Sequence, residues 1–291
     1  MVVPWCLFAL YEFLFTRSLR EALNNHVIVV LLLIDLFIET ITFPLMITYY
    51  GLSGNLHASP PYSQLWSYTI LGFFPTQTIV FAWCTIERHI LVFHNHWFTN
   101  KRNRIFLHYI PLIIVPLYCF IYFAVSLSNI YPICAYLNIQ STVLGIYAPC
   151  FAFIVTHFKV DLILHQIMPI LIIIISTFAL FYRFLRQKAR ARQPVELKKQ
   201  RKLIVQAVSI FIIFGIFQFP WIIVKFCGLF GLSFPIVENY MTFLQCYVIF
   251  LFPFVCLGTI PDIGKKMKIF LCCKNRQQRI GPDQTQQQNT T

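Results

Sequence analysis

Acidic residues are scarce in this chain. Ten Asp and Glu stand against 23 Lys and Arg, a formal charge of +13, and charged residues of both signs make up only 11% of the 291 positions. A soluble domain with 58% hydrophobic residues and a mean hydropathy of +0.70 would expose a large apolar surface, so the expected solvent is lipid. The signatures of enzymes are also missing: there is no nucleotide-binding loop, no paired cysteine–histidine metal spacing and no nucleophile elbow, and the eight histidines are scattered singly. His94 and His96 flank Asn95 in a polar connection and read as solvated side chains. Nucleic acid is a poor partner for the positive charge, which is confined to short connections beside apolar blocks, within reach of lipid headgroups and cytosolic partners.

Apolar blocks are abundant. Six are clear, roughly Asn25 to Tyr50, Gln64 to Phe93, Ile105 to Ser128, Asp161 to Leu185, Leu203 to Cys227 and Glu238 to Pro261. Each suits the ~20 residues that carry a helix across a bilayer. They are too long for β-barrel strands, and a helix satisfies its own backbone hydrogen bonds in lipid. A shorter block, Val2 to Phe15, is interrupted by Glu12 and reaches only about 21 Å at ~1.5 Å per residue. It has no basic lead and no small-residue cleavage site, so it reads as the inner part of a truncated first helix, not as a signal peptide. The expected fold is an all-α membrane protein, a bundle of seven transmembrane helices.

Sorting the basic residues by connection orients the bundle. Of the 23, 21 fall on one side: Arg17 and Arg20; Arg88, Lys101, Arg102 and Arg104; nine from Arg183 to Lys202; and six from Lys265 to Arg279. Only Lys159 and Lys225 lie opposite. The positive-inside rule makes the crowded side the cytoplasm, with the N-terminus outside, the C-terminus inside and the plasma membrane as the expected location. Connections are short except for an outer loop from Asn129 to Val160 and a basic inner loop from Arg186 to Gln200. No repeat or separate soluble domain interrupts residues 1–276. After the last span, residues 263–271 place Ile263, Met267, Phe270 and Leu271 on one helical face, an interfacial amphipathic pattern. Cys272 and Cys273 follow at the membrane surface, where acylation is expected. The Gln- and Thr-rich tail, 277–291, reads as disordered.

Several short motifs fall in a telling order: Asn25 and Asp35 in the second span, Glu87-Arg88-His89 closing the third, Pro169 in the fifth, Phe217-Gln218-Phe219-Pro220 in the sixth, and Phe252-Pro253-Phe254-Val255-Cys256 in the seventh. Across nearly its whole length the chain resembles the rhodopsin-like (class A) G protein-coupled receptors. The resemblance implies a non-enzymatic receptor that binds an extracellular ligand and activates a heterotrimeric G protein. It makes Glu87, Arg88 and His89 the coupling triplet, with Glu and His in place of the usual Asp and Tyr. On physical grounds Arg88 is either held by Glu87 in one state and freed in another, or simply snorkels to the headgroups. Pro169, Pro220 and Pro253 remove intrahelical hydrogen bonds and kink their helices. In the family the sixth-helix kink is the hinge that opens a cleft for the G protein. Here Gln218 replaces the family's tryptophan beside that kink, Cys256 replaces the seventh-helix tyrosine, and Gln200 replaces the acid that often pairs with the arginine.

Two polar sites follow. Asp35, in mid-span, needs a partner inside the bundle, and Gln77 lies at similar depth on the third span. In the family this aspartate anchors Na⁺ together with a seventh-helix asparagine, replaced here by Phe252, so a protonated, hydrogen-bonded Asp35 is the alternative to an ion. On the outer half, Asp161 and His165, then Gln218, Trp221 and Lys225, then Glu238 and Gln245 recur at helical spacing. With Ile70, Leu71 and Phe74 they either line a ligand pocket or hold the helices together through interhelical bonds, including a Lys225–Glu238 ion pair. Ile70 replaces the aspartate of amine receptors, and the seventh span has no lysine for retinal. Five of the ten cysteines, Cys84, Cys119, Cys227, Cys246 and Cys256, read as small apolar groups within or at the ends of spans. Family members tie the long outer loop to a third-helix cysteine, but Ser63 stands at that position. This leaves Cys134 and Cys150 either bridged within the loop or as free thiols. The only sequon, Asn289-Thr290-Thr291, falls in the cytoplasmic tail. A transporter or channel, and a truncated receptor that no longer signals, are the rival readings.

Overall fold

The computed structural model of the chain describes residues 2–51, 65–127, 142–143, 146–147, 155–190, 194–232, 234–260, 263–264 and 266–267. Helix α1 (Val3–Phe15) has 13 residues and, at about 20 Å, is too short to cross a bilayer alone. Five helices are long and apolar enough to cross: α2 (Leu23–Thr48), α3 (Leu65–Phe93), α4 (Lys101–Ser126), α5 (Thr156–Arg186) and α7 (Pro235–Gly258). Between the last two lies α6, two segments, Val205–Phe217 and Phe219–Leu229, bent by 47° and equivalent to a sixth span. The chain is a multi-pass helical membrane protein. Among the described residues, the departure from all-α is a pairing of two residues with two, β1 (Thr142–Val143) antiparallel to β2 (Ile146–Tyr147).

The core runs through α1, α2, α3, α5, α6 and α7, with Phe13, Leu32, Phe81, Ile173, Phe214 and Phe252 all buried. Helix α3 is the most enclosed span and α4 the least. Ile113, Leu117 and Ile121 of α4, and Ile175 and Phe178 of α5, point outward and are exposed. Such a surface is stable against hydrocarbon and unstable against water.

Proline placement explains the irregular turns. Among the described residues four π-helical turns occur, Ile38–Thr42, Thr69–Phe73, Ile105–Tyr109 and Leu162–Ile167, and each ends two residues before a proline: Pro44, Pro75, Pro111 and Pro169. A proline ring clashes with the carbonyl four residues back and offers that carbonyl no N–H. In every case that carbonyl, of Thr40, Leu71, Leu107 or His165, sits inside the wide turn. Widening re-aims it. Pro116 and Pro253 sit inside continuous α-helix, whereas Pro220 follows the break in α6 at Gln218.

The stretch expected as a basic inner loop is mostly helix: one helix runs from Met168 to Arg190 and the next begins at Pro194. Helix α4 likewise begins at Lys101, earlier than hydropathy predicts, because a polar first turn remains helical once anchored by an apolar span, and α7 begins early at Pro235, whose fixed φ suits the first turn of a helix. Of the expected amphipathic segment, Ile263, Gly264, Lys266 and Met267 are helical. The rest of it, the tail, and Cys134, Cys150, Cys272 and Cys273 lie outside the described residues.

Candidate functional site

Contacts among helix ends define one end of the bundle, which carries Arg17, Arg20, Lys101, Arg102 and Arg104 and is called the basic end. Here α3 presents Arg88, only 1% exposed, whose Nη2 donates to Gln206 Oε1 of α6 at 2.9 Å. Gln206 Nε2 in turn donates to Thr259 Oγ1, just after α7, at 3.3 Å. One polar chain thus joins α3, α6 and the end of α7. Arg88 does not snorkel, and its Nε and Nη1 have no hydrogen-bond partner among the described residues.

The expected hold of Glu87 on Arg88 is absent. Successive helical residues point about 100° apart, so Glu87 faces α4 and pairs with the buried His108. His108 Nε2 lies 2.9 Å from His26 Nδ1 of α2. His89 is half-buried, its ring 5.1 Å from that of Phe93, which the Arg183 guanidinium also approaches at 5.5 Å. Gln206, and not an acid, holds Arg88; the side chain of Gln200 lies outside the described residues.

Midway along α2, Asp35 is fully buried and its Oδ1 accepts from Gln77 Nε2, the partner expected. One turn further, Glu39 is 4% exposed. Asp35 Oδ2, both Glu39 carboxylate oxygens and Thr42 Oγ1 have no partner among the described residues. These residues are four and then three apart, so their side chains share one face of α2. The donor set does not fit a sodium cage: Gln77 presents an N–H to Asp35, Phe252 is an apolar buried ring, and no group of three or more His, Cys, Asp or Glu converges among the described residues. The missing donors are water or the carboxyl groups' own hydrogens. Cys6, Cys84 and Cys256 are buried free thiols, Cys6 Sγ donating to the Leu32 carbonyl at 3.4 Å.

At the far end, the polar residues expected to line a pocket are engaged mostly in bonds within the bundle. Gln218 Nε2 donates to Thr78 Oγ1 at 2.8 Å, Trp221 Nε1 to Thr242 Oγ1 at 3.0 Å, and Lys225 pairs with Glu238 while lying 5.5 Å above the Trp221 ring. Gln245 is buried on α7. Asp161 Oδ1 stands 2.9 Å from His165 Nδ1, a close charge contact and not an aligned hydrogen bond, and His165 Nε2 meets the Tyr118 hydroxyl of α4 at 3.0 Å. Ile70, Leu71 and Phe74 are half-buried. The structure therefore divides the polar residues expected in a pocket among an α3–α6 contact at Gln218, an α6–α7 seam at Trp221, Lys225 and Glu238, and an α4–α5 seam at His165. A separate apolar groove of about 160 Å³ opens between α5 and α6, lined by Ile170, Ile173, Phe178, Phe211, Phe214 and Phe219.

Glu39, Gln206, His26 and His108 were not singled out by sequence. Their available signal was polarity inside an apolar block; the two histidines are 82 positions apart, and only helix packing joins them. No protein-family model and no curated protein matches this chain.

Proposed function

We propose that this chain is a seven-helix receptor of the rhodopsin-like kind, which binds an extracellular ligand at its far end and promotes nucleotide exchange on a heterotrimeric G protein at its basic end. The observation that carries the reading is Arg88, a buried cation at the end of α3, bound to α6 by the one hydrogen bond it donates to Gln206. A cation so weakly tied is released when α6 moves, and α6 has a hinge at Gln218–Pro220 to move on. The closed and open arrangements of the basic end are the two states that a ligand would bias. In this reading α1 is the first crossing and the basic end faces the cytoplasm. The segment after α7 lies along the membrane surface, tied to α1 by Lys266 and Glu12. Lipid headgroups and acyl modification of Cys272 and Cys273 would hold it there.

The test is guanine-nucleotide exchange on added G proteins by the receptor in nanodiscs, comparing wild type with Arg88→Ala. Loss of exchange, with membrane insertion and folding unchanged, is the expected result; equal exchange by both rejects the role given to Arg88. A second reading, a proton- or solute-coupled transporter, draws on the unpartnered Asp35 and Glu39 oxygens in mid-span. Proton or solute flux in reconstituted vesicles, abolished by Asp35→Asn, would favour it.

A further inference from the structure

Three titratable side chains at the basic end form one chain of hydrogen bonds. His26 Nε2 lies 2.9 Å from the Arg20 carbonyl, His26 Nδ1 lies 2.9 Å from His108 Nε2, and His108 Nδ1 meets Glu87. With Glu87 ionised, both ends of the chain are acceptors. Three links then require three hydrogens, and two neutral imidazoles carry only two. The complete arrangement is either one imidazolium beside the carboxylate with one neutral ring, or two neutral rings with a protonated Glu87. In both the trio has no net charge. A fourth hydrogen sets two N–H groups head to head between the rings, and removing one of the three leaves a lone pair facing an acceptor.

We propose that Glu87, His108 and His26 are a proton-binding relay, closed at a single proton count, that ties together the basic ends of α2, α3 and α4 and the α1–α2 connection. His108 is fully buried and His26 half-buried, so protons enter and leave at His26. The charged and titratable groups around the relay are Tyr109, whose ring lies 4.7 Å from that of His108 and 6.0 Å from that of His26; Arg20, whose side chain is exposed; Arg88, next to Glu87; and Arg104, one turn before His108. The two rings share one hydrogen bond, so the hydrogen carried by one fixes what the other can donate or accept there. Only the consequence of the relay rests on the receptor reading: while closed, it keeps Glu87 on α4 and away from Arg88.

The test uses the full chain in nanodiscs, labelled with ¹⁵N-histidine and followed by NMR across a pH scan. The expected result is a shared N–H···N signal between the two rings in a bounded pH window, lost on acidification, with the rings titrating in coupled steps. In His26→Ala that signal is gone and His108 titrates in one step. Two independent titrations, with that of His108 unchanged by His26→Ala, overturn the proposal, as does a shared signal that persists with both rings charged. Should the variant misfold, the wild-type scan decides alone. No G protein enters these measurements, so failure of the relay and failure of the receptor reading are separately visible.

Discussion

Arg88 offers five N–H donors and directs one nitrogen, Nη2, at Gln206, leaving Nε and Nη1 without partners. A hydrogen bond to a charged group contributes roughly 1.5–3 kcal/mol, so this contact is strong enough to bias an equilibrium and weak enough to break. Two substitutions at one site should act in opposite directions. Gln206→Ala removes the bond and is expected to raise ligand-free nucleotide exchange while lowering the unfolding midpoint by a few degrees. Gln206→Glu replaces a neutral acceptor with a carboxylate, turning the bond into an ion pair that can engage two guanidinium nitrogens, and should suppress ligand-free exchange. Parallel exchange and thermal-unfolding assays check both signs. The Asp35–Gln77 pair was legible in the sequence, because a carboxylate in mid-span demands a partner at its own depth. The partner of Glu87 was not. Its choice of His108 over Arg88 depends on how α3 and α4 cross, which no spacing within either helix encodes.

Among the helices, α6 differs from its neighbours in how it accommodates proline. The helices continue past the prolines that follow a π turn, and also past Pro116 and Pro253, which follow none; at Gln218–Pro220 the axis bends by 47°. Pro220 lies in the first turn of the second segment, where its missing N–H costs little. Pro220→Ala supplies an N–H within reach of the Ile216 carbonyl and allows an unbroken helix. Its stability should change by about 1 kcal/mol or less, with direction set by the packing it disturbs. Ligand-driven exchange should fall severalfold if the bend is the hinge. Measuring unfolding midpoint and exchange on the same preparation separates the two effects. Hydropathy located each span to within a few residues, since apolar length is a strong signal. It did not reveal the helical continuation of the basic stretches on either side of residues 191–193, whose charged residues look like loop until the spans that anchor them are known.

For the molecule as a whole, the contacts alone bring the ends of α3 and α7 together with the starts of α2, α4 and α6, which requires consecutive spans to run in opposite directions. The same end carries the arginines and lysines of the α1–α2 and α3–α4 connections. In the receptor reading, tags placed in the segment between α4 and α5 and after residue 291 should lie on opposite sides: antibody should reach the first in intact cells and the second only after permeabilisation. The reverse pattern would invert the bundle, and access to both from one side would break the span count. Fold class and approximate span number were thus legible from composition and charge sorting. The division of the far-end polar residues among separate helix contacts was not, because it depends on which faces meet. Gln218, Trp221 and Lys225 read equally well as pocket lining or as the bonds to Thr78, Thr242 and Glu238 that they make.

The wide turns have a consequence for how the chain tolerates insertion and deletion. A π turn holds about one residue more than the α turn it replaces, and each residue rotates a helix by about 100°. Deleting one residue from Ile38–Thr42, together with replacement of Pro44, would tighten the turn while leaving the phase of the following segment intact. The same deletion near Leu31 would swing half of α2 toward the wrong neighbours. At each of these turns a residue can be lost, with the following proline replaced, without re-threading the bundle.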